Sequence, residues 1–393
     1  MRRLVIFGDG LTHPAKDGVS QHVISLLLIL AKYQSVIEPI LVMCDRGTIG
    51  IENLQKLPFK IILVPHATYY SYDDMSTIVS ELKPDIIQTY SNYYARLILT
   101  RYSVENGVPL FMEHHDVDNE FARNYGLESI DQSFQKEVIE IASCNRTLSF
   151  DDETVLRKAV PHRATTFFSL ATGILDDYVD ARLDKKQANT ILFLGNGAFP
   201  PNREAIEYIT NVLAPKLPKL TFHIVGRLTD TIGESGNVVG HGMIDDLRPL
   251  VSHVSYGIAP LSHGSGLKTK NLTYLSAGMP VIGTPLSFRG YQKNRNFIRV
   301  SKRLFPYVLW FMVKTYSGKR AALARQYFLE NYSEEKLARA LLLKYEHIAH
   351  DPYVTEENSR PITHDDSMLP WLKEYREQNN QIVKNAVYIH FTQ

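Results

Sequence analysis

Thr190-Ile191-Leu192-Phe193-Leu194-Gly195-Asn196-Gly197 is a short apolar run that ends in glycines, and Pro200-Pro201-Asn202 then opens a helical stretch reaching to about Leu213. The run lacks period-2 alternation, as expected of a strand buried on both faces of a parallel sheet. Downstream the pattern repeats: Leu220 to Val225 ends at Gly226, and Ser255 to Ala259 and Pro280-Val281-Ile282 read as further strands. Upstream it has already run once. Leu4 to Phe7 leads through a glycine loop ending at Gly18 into a helix over Val19 to Tyr33, and Ile40 to Met43, Lys60 to Val64, Asp85 to Gln88 and Leu110 to Met112 follow in the same style. Strands alternating with helices imply right-handed βαβ units and parallel sheets. Two series separated by the polar stretch Asp176 to Ala188 predict two doubly wound α/β domains, with ligands beyond the carboxyl ends of both sheets. The expected boundaries are 1–175 and 186–348, the latter including an amphipathic helical stretch over 318–348, and then a tail, 349–393, that would pack back on the first domain.

Composition narrows the function. With 43 Lys and Arg against 42 Asp and Glu, a net charge of +1 gives no reason to expect nucleic acid as a partner. Two cysteines, Cys44 and Cys144, are too few for a disulfide framework or a cysteine zinc site and fit a reducing compartment. The apolar run after Met1-Arg2-Arg3 is too short for a signal peptide, and no stretch reaches the ~18 apolar residues of a membrane span. The expected address is the cytoplasm, with the inner face of the membrane as a second option. That option comes from Arg303 to Lys314, which has the composition of an interfacial membrane helix and equally of a core helix.

The chemistry is concentrated in Pro260-Leu261-Ser262-His263-Gly264-Ser265-Gly266-Leu267-Lys268-Thr269-Lys270. A strand ends before it and a helix is expected to start near Ser265 or Gly266. Glycines admit a ligand to the backbone, and Lys268 and Lys270 add cations where the helix dipole would prefer carboxylates, so an anion is expected there. The plain alternative is a flexible loop with two solvated lysines. Gly8-Asp9-Gly10 and Asp17-Gly18-Val19 make a second strand-to-helix loop, but not the GxGxxG of a dinucleotide-binding dehydrogenase. Glu113-His114-His115-Asp116-Val117-Asp118 follows a strand and reads as an acid/base pair, a metal cluster or a satisfied polar strand end. Arg227 after Gly226, and His241 and Met243 in Gly240-His241-Gly242-Met243, stand at two more loops. Tyrosines 69, 70, 72, 90, 93 and 94 would make a sugar-stacking surface or ordinary half-buried aromatics.

Phe193-Leu194-Gly195 to Pro200-Pro201-Asn202-Arg203-Glu204-Ala205, Phe222 to Arg227, Gly264 to Leu272 and Ser276-Ala277-Gly278-Met279-Pro280-Val281-Ile282-Gly283-Thr284 together resemble the GT-B glycosyltransferases of family 4, the group 1 glycosyl transferases. In the first half Asp17-Gly18-Val19 and His115-Asp116-Val117-Asp118 resemble the family's glycine pair and histidine segment. The resemblance implies a GT-B α/β fold, two doubly wound Rossmann-like domains facing a central cleft, with the acceptor in the first and a UDP- or GDP-sugar in the second. It implies a retaining hexosyl transfer to a hydroxyl of a glycan or lipid-linked acceptor, in cell-surface polysaccharide synthesis, with no metal and no cofactor. By position, Gly18 and Gly266 would contact the diphosphate, Lys268 or Lys270 would neutralise it, and Ser265, Leu267, Arg227 and Thr273 would be further donor-binding positions. The loop around His241 and Met243 would lie by the base and His115 near the donor sugar, with His115 and His114 as the catalytic candidates. Thr273 and Ser265 stand where the family carries glutamates, the former holding the ribose. That departure leaves a second reading, a non-catalytic glycosyltransferase-like subunit that binds a partner enzyme or glycan.

Overall fold

A computed structural model describes residues 1–350 apart from 14, 16, 17, 47–50, 119–132, 161–166 and 170–177. Asp17 and the tail expected at 349–393, beyond its first two residues, lie outside the described residues. The first sheet consists of β1 (Arg2–Asp9), β2 (Ile37–Asp45), β3 (Lys60–Pro65), β4 (Ile86–Thr89), β5 (Leu110–His114), β6 (Cys144–Thr147) and β7 (Phe167–Ser169), in the order β3-β2-β1-β4-β5-β6-β7 and parallel throughout. The second consists of β8 (Gln187–Leu194), β9 (Thr221–Val225), β10 (Glu234–Ser235), β11 (Val238–Gly240), β12 (Val254–Ala259), β13 (Val281–Gly283) and β14 (Phe297–Arg299). Its order is β10-β11-β9-β8-β12-β13-β14, parallel except for β10 against β11.

These orders fix where ligands can bind. In each sheet the winding direction reverses once, between β1 and β4 and between β8 and β12, and a crevice opens beyond the carboxyl ends there. The loops at those points are the glycine-containing ones, 8–11, 195–202 and 260–270. Gly226 shows why one of them needs glycine. Its φ is +143°, and a Cβ there would stand 2.1 Å from the Gly195 carbonyl oxygen, so only a bare backbone lets the ends of β9 and β8 approach.

Each sheet is buried on both faces. Helix Gly18–Ala31 supplies Val23, Ile24, Leu27 and Leu30 to one face of the first. The last described helix, Glu334–His350, contributes Leu337, Ala338, Leu341, Tyr345 and Ile348 to that same core. The sequence reading put this helix with the second domain. Its apolar stripe instead closes the first sheet, so the chain runs from the first sheet to the second and back. Helix Gly318–Tyr332 stays with the second core through Ala324 and Phe328.

Candidate active site

The loop after β12 turns through Gly264 at φ +126° and Gly266 at φ +65°, neither helical, and the helix begins only at Lys270 (Lys270–Ser276). The expected start at Ser265 or Gly266 is therefore corrected by four to five residues. Lys268 precedes the helix, and its Nζ donates to the loop's own carbonyls, at Gly264 (3.3 Å), Ser265 (2.5 Å) and Gly266 (2.8 Å). Lys270 Nζ donates to Asn202 Oδ1 at 2.8 Å and lies 4.3 Å from the centre of the Phe193 ring. Neither an amide oxygen nor an aromatic face carries a charge that would neutralise it. Burial, reinforced by the charge of Lys268, pulls the Lys270 ammonium down to about 7.

The loops that flank this one lie side by side. Gly197 donates its N–H to the Arg227 carbonyl (2.9 Å), and Gly226 donates to the Gly242 carbonyl (2.9 Å). Residues 195–202, 226–228 and 241–243 thereby form one rim beyond β8, β9 and β11.

Facing them, β5 ends in Glu113 and His114. Glu113 is buried and its Oε2 accepts from His22 Nε2 (2.8 Å) and Arg146 Nη1 (2.9 Å). Its other oxygen accepts from Gln88, whose carbonyl accepts from the Tyr345 hydroxyl at 2.7 Å. Burial alone would raise this carboxyl. The Arg146 guanidinium and the His22 ring outweigh it and hold the group far below the ordinary carboxylate range. The His115 ring stacks on Tyr90 (5.1 Å between centres, 4° between planes) and meets His22 edge-on. Burial, aided by His22, brings it down to about 3, so its imidazole is neutral at physiological pH. His115 Nε2 is buried, 4.0 Å from Glu113 Oε2, and has no hydrogen-bond partner among the described residues.

The two sides touch. A Cβ on Gly266 would fall 2.6 Å from Asp116 Oδ1 and 3.2 Å from the His115 carbonyl oxygen. Arg289 Nη2 binds Asp152 Oδ1 at 2.9 Å, and the Gly290 N–H donates to Asp151 Oδ2 at 2.8 Å. Burial raises the Asp116 carboxyl to about 6, with Asp152 pushing the same way and the Ser265 hydroxyl and Lys268 opposing. A carboxyl raised on folding favours the folded chain below its unfolded pKa, and that contribution is lost as pH rises through the folded value. We therefore expect Asp116→Asn to remove about 2 kcal/mol of the stability change between pH 4 and pH 7. Denaturant titrations of both proteins across that window check it; superimposable pH curves would refute it.

Residues 188–302 match the family model described as Glycosyl transferases group 1. A comparison with curated proteins finds no sequence relative. Among solved structures, Anabaena Alr3699/HepE in complex with UDP and glucose is similar with a TM-score of 0.67 at 11% identity, covering 88% of this chain and 100% of that one. A glycosyltransferase from Rickettsia africae gives 0.68 at 16% identity, covering 89% and 99%. The pneumococcal O-GlcNAc transferase GtfA in complex with UDP and GlcNAc gives 0.69 at 10%, covering 89% and 99%. The chain has the GT-B fold.

In this GT-B protein the sequence-selected residues fall into three groups. Ser265, Gly266 and Lys268 come up against the His115–Asp116 segment across the contact between the two sheets, Lys270 turns instead to Asn202 and Phe193, and Leu267 anchors their loop by packing in the second core. Gly18 is the exposed first residue of helix Gly18–Ala31, one turn before His22. Arg227 and Met243 are exposed on the rim, and His241 is engaged by His223 at 2.9 Å. His114 and Thr273 do not join them. His114 is 1% exposed, with Nε2 on Asn145 (2.9 Å) and Nδ1 facing the Gln135 amide (3.4 Å), and burial lowers it to about 4. It is a strand-end ring held by neighbours, and its catalytic assignment is withdrawn. Thr273 is buried within its helix, 5% exposed, so a ribose contact there would need the helix to move. Sequence reasoning missed His22 and Arg146, and it offered Tyr90 only as one of six tyrosines, without its stacking on His115. Nothing marks Arg146, which sits in a four-residue strand of mixed polarity.

Among the described residues, His22, Glu113 and His115 offer three ligand atoms within 4.8 Å of one another. The Arg146 guanidinium already occupies the Glu113 oxygen they would share, and a dication there would meet that charge at close range.

Proposed function

We propose that this GT-B protein moves a hexose from a UDP-sugar to a hydroxyl of a glycan or lipid-linked acceptor, with retention and without a metal, in cell-surface polysaccharide synthesis at the inner face of the membrane. The observation that carries the reading is the loop Gly264–Lys270, at the reversal point of the second sheet, with the enclosed Lys270 ammonium given only neutral partners. Such a group is stabilised by an arriving diphosphate. When the sugar–oxygen bond breaks, negative charge grows on the departing diphosphate, and cations fixed beforehand lower that barrier. The solved structures bound to UDP, and that of Alr3699/HepE bound to UDP-glucose, favour uridine over guanosine as the base. The Arg146–Glu113 pairing favours chemistry without a metal in the His22, Glu113 and His115 cluster.

His115 takes the position beside the donor sugar. Neutral, stacked on Tyr90 and with Nε2 unbonded among the described residues, it can hydrogen-bond the sugar without carrying a charge. His115→Ala should lower kcat roughly tenfold or more while UDP affinity stays within about twofold. An unchanged rate would remove His115 from the mechanism. The reading as a whole is tested by calorimetric titration with UDP, GDP, ADP and TDP, with and without a chelator. Tightest binding of UDP, unaffected by chelation, is expected. Binding of none by the folded protein would favour the second reading, a non-catalytic subunit, which the buried Thr273 supports.

A further inference from the structure

Helix Phe305–Lys314 has two faces of opposite fate. Phe305, Leu309 and Met312, spaced at i, i+4 and i+7, are buried in the second core. Leu304, Tyr307, Trp310 and Phe311 stand on the other side at 53%, 70%, 50% and 56% exposure. Single exposed apolar residues are ordinary, but four large ones on one helical face form a continuous patch. The patch is rimmed by cations. Arg303 and Lys314 are exposed on the same stripe, Lys314 Nζ lies 4.0 Å from the centre of the Trp310 ring, and Lys302 and Lys319 stand at the two ends.

The segment that carries the patch is itself one-sided in charge: no aspartate or glutamate occurs between Asp246 and Glu330, and Lys302, Arg303, Lys314 and Lys319 lie on or beside the helix. Exposed aromatic side chains flanked by arginine and lysine on a segment without carboxylates of its own suit the headgroup region of an anionic bilayer, where indole and phenol rings bury their apolar bodies and lysine or arginine meets lipid phosphate. No described helix is long and apolar enough to cross a membrane, so the contact would be with the surface.

We propose that the face formed by Leu304, Tyr307, Trp310 and Phe311, with Arg303 and Lys314 beside it, docks the protein on an anionic phospholipid bilayer. This deepens the membrane-side part of the reading above and rests on it only there, because vesicle binding needs neither nucleotide nor acceptor and fails separately from transfer.

The chain has two tryptophans, so Trp371→Phe leaves Trp310 as the sole indole reporter. The full-length Trp371→Phe protein is mixed with phosphatidylcholine vesicles made with and without phosphatidylglycerol. The expected result is co-flotation with the anionic vesicles, weakened by salt, with a blue shift of Trp310 emission. In the full-length protein, Phe311→Ser with Trp310→Ser should reduce vesicle affinity roughly tenfold or more. Arg303→Gln with Lys314→Gln should erase the preference for anionic over neutral vesicles. All four side chains are exposed, so an unchanged far-ultraviolet circular dichroism spectrum and thermal transition serve as the check that the variants fold. Absence of flotation, or flotation indifferent to the Phe311→Ser and Trp310→Ser changes, overturns the proposal. Self-association abolished by those changes, without vesicle binding, also overturns it and assigns the face to a second copy of the chain.

Discussion

Arg146→Met is expected to lower the unfolding free energy by about 3–5 kcal/mol, the scale on which breaking one side of a buried ion pair is felt. The Arg146 side chain is fully buried and that of Glu113 nearly so, 0% and 2% exposed, with Nη1 at 2.9 Å from Oε2. Removing the guanidinium leaves a carboxylate in the interior with only His22 and Gln88 to hold it. Glu113→Gln in the Arg146→Met background takes away the stranded charge and should recover a large part of the loss. Urea denaturation of the wild type, both single variants and the double variant measures this, and additive effects would contradict it. The pH dependence gives a second reading. In the wild type the lowered Glu113 carboxyl contributes stability that is present above its usual 4.5 and lost as pH falls below it. In Arg146→Met that acid-side loss should shrink or change sign, because protonation then relieves an unpaired charge.

The second large effect concerns the lysines. Lys268→Ala combined with Lys270→Ala should weaken UDP binding by about 1.5–3 kcal/mol, roughly 10- to 150-fold. The two contributions are unequal. Lys268 must give up three carbonyls of its own loop before it can serve a phosphate, whereas Lys270 leaves only an amide oxygen and a ring face. Lys270→Met alone is therefore expected to account for the greater part. Since Lys270 is lowered to about 7, its cation is depleted as pH rises past neutrality, and UDP affinity should fall between pH 7 and pH 9. Lys270→Arg keeps the charge and should flatten that dependence. Calorimetry across the pH series checks both statements. Unchanged affinity in a folded double variant would detach the loop from the nucleotide.

The strands that were legible in the sequence are those whose residues answer to one force. Leu4 to Phe7 and Thr190 to Leu194 are apolar because both faces of a parallel sheet are covered. Cys144-Asn145-Arg146-Thr147 is as deeply buried but reads as loop, because its polar side chains are satisfied by groups remote in sequence: Asn145 by His114, Arg146 by Glu113. Pairing of that kind leaves no local trace. The anion loop was visible because glycine freedom and cation placement are local properties, while the late start of its helix follows from the positive φ of Gly264 and Gly266, which periodicity does not encode. Assigning His114 and His115 alike to the site failed because adjacent residues at a strand end point to opposite sides, one inward to Asn145 and Gln135, the other to Tyr90 at the cleft.

The return of helix Glu334–His350 to the first sheet has a consequence for the order in which the protein is made. Strand β7 ends at Ser169, yet the face of its sheet that Leu337, Leu341 and Tyr345 cover stays open until the chain has been extended past His350. At ~5–20 residues per second that interval lasts roughly 9–36 s on the ribosome. The second sheet, whose strands all lie between Gln187 and Arg299, has its parts in hand first. The half that starts at the N-terminus is thus the last to be finished, and during synthesis it is the one with apolar surface to shield.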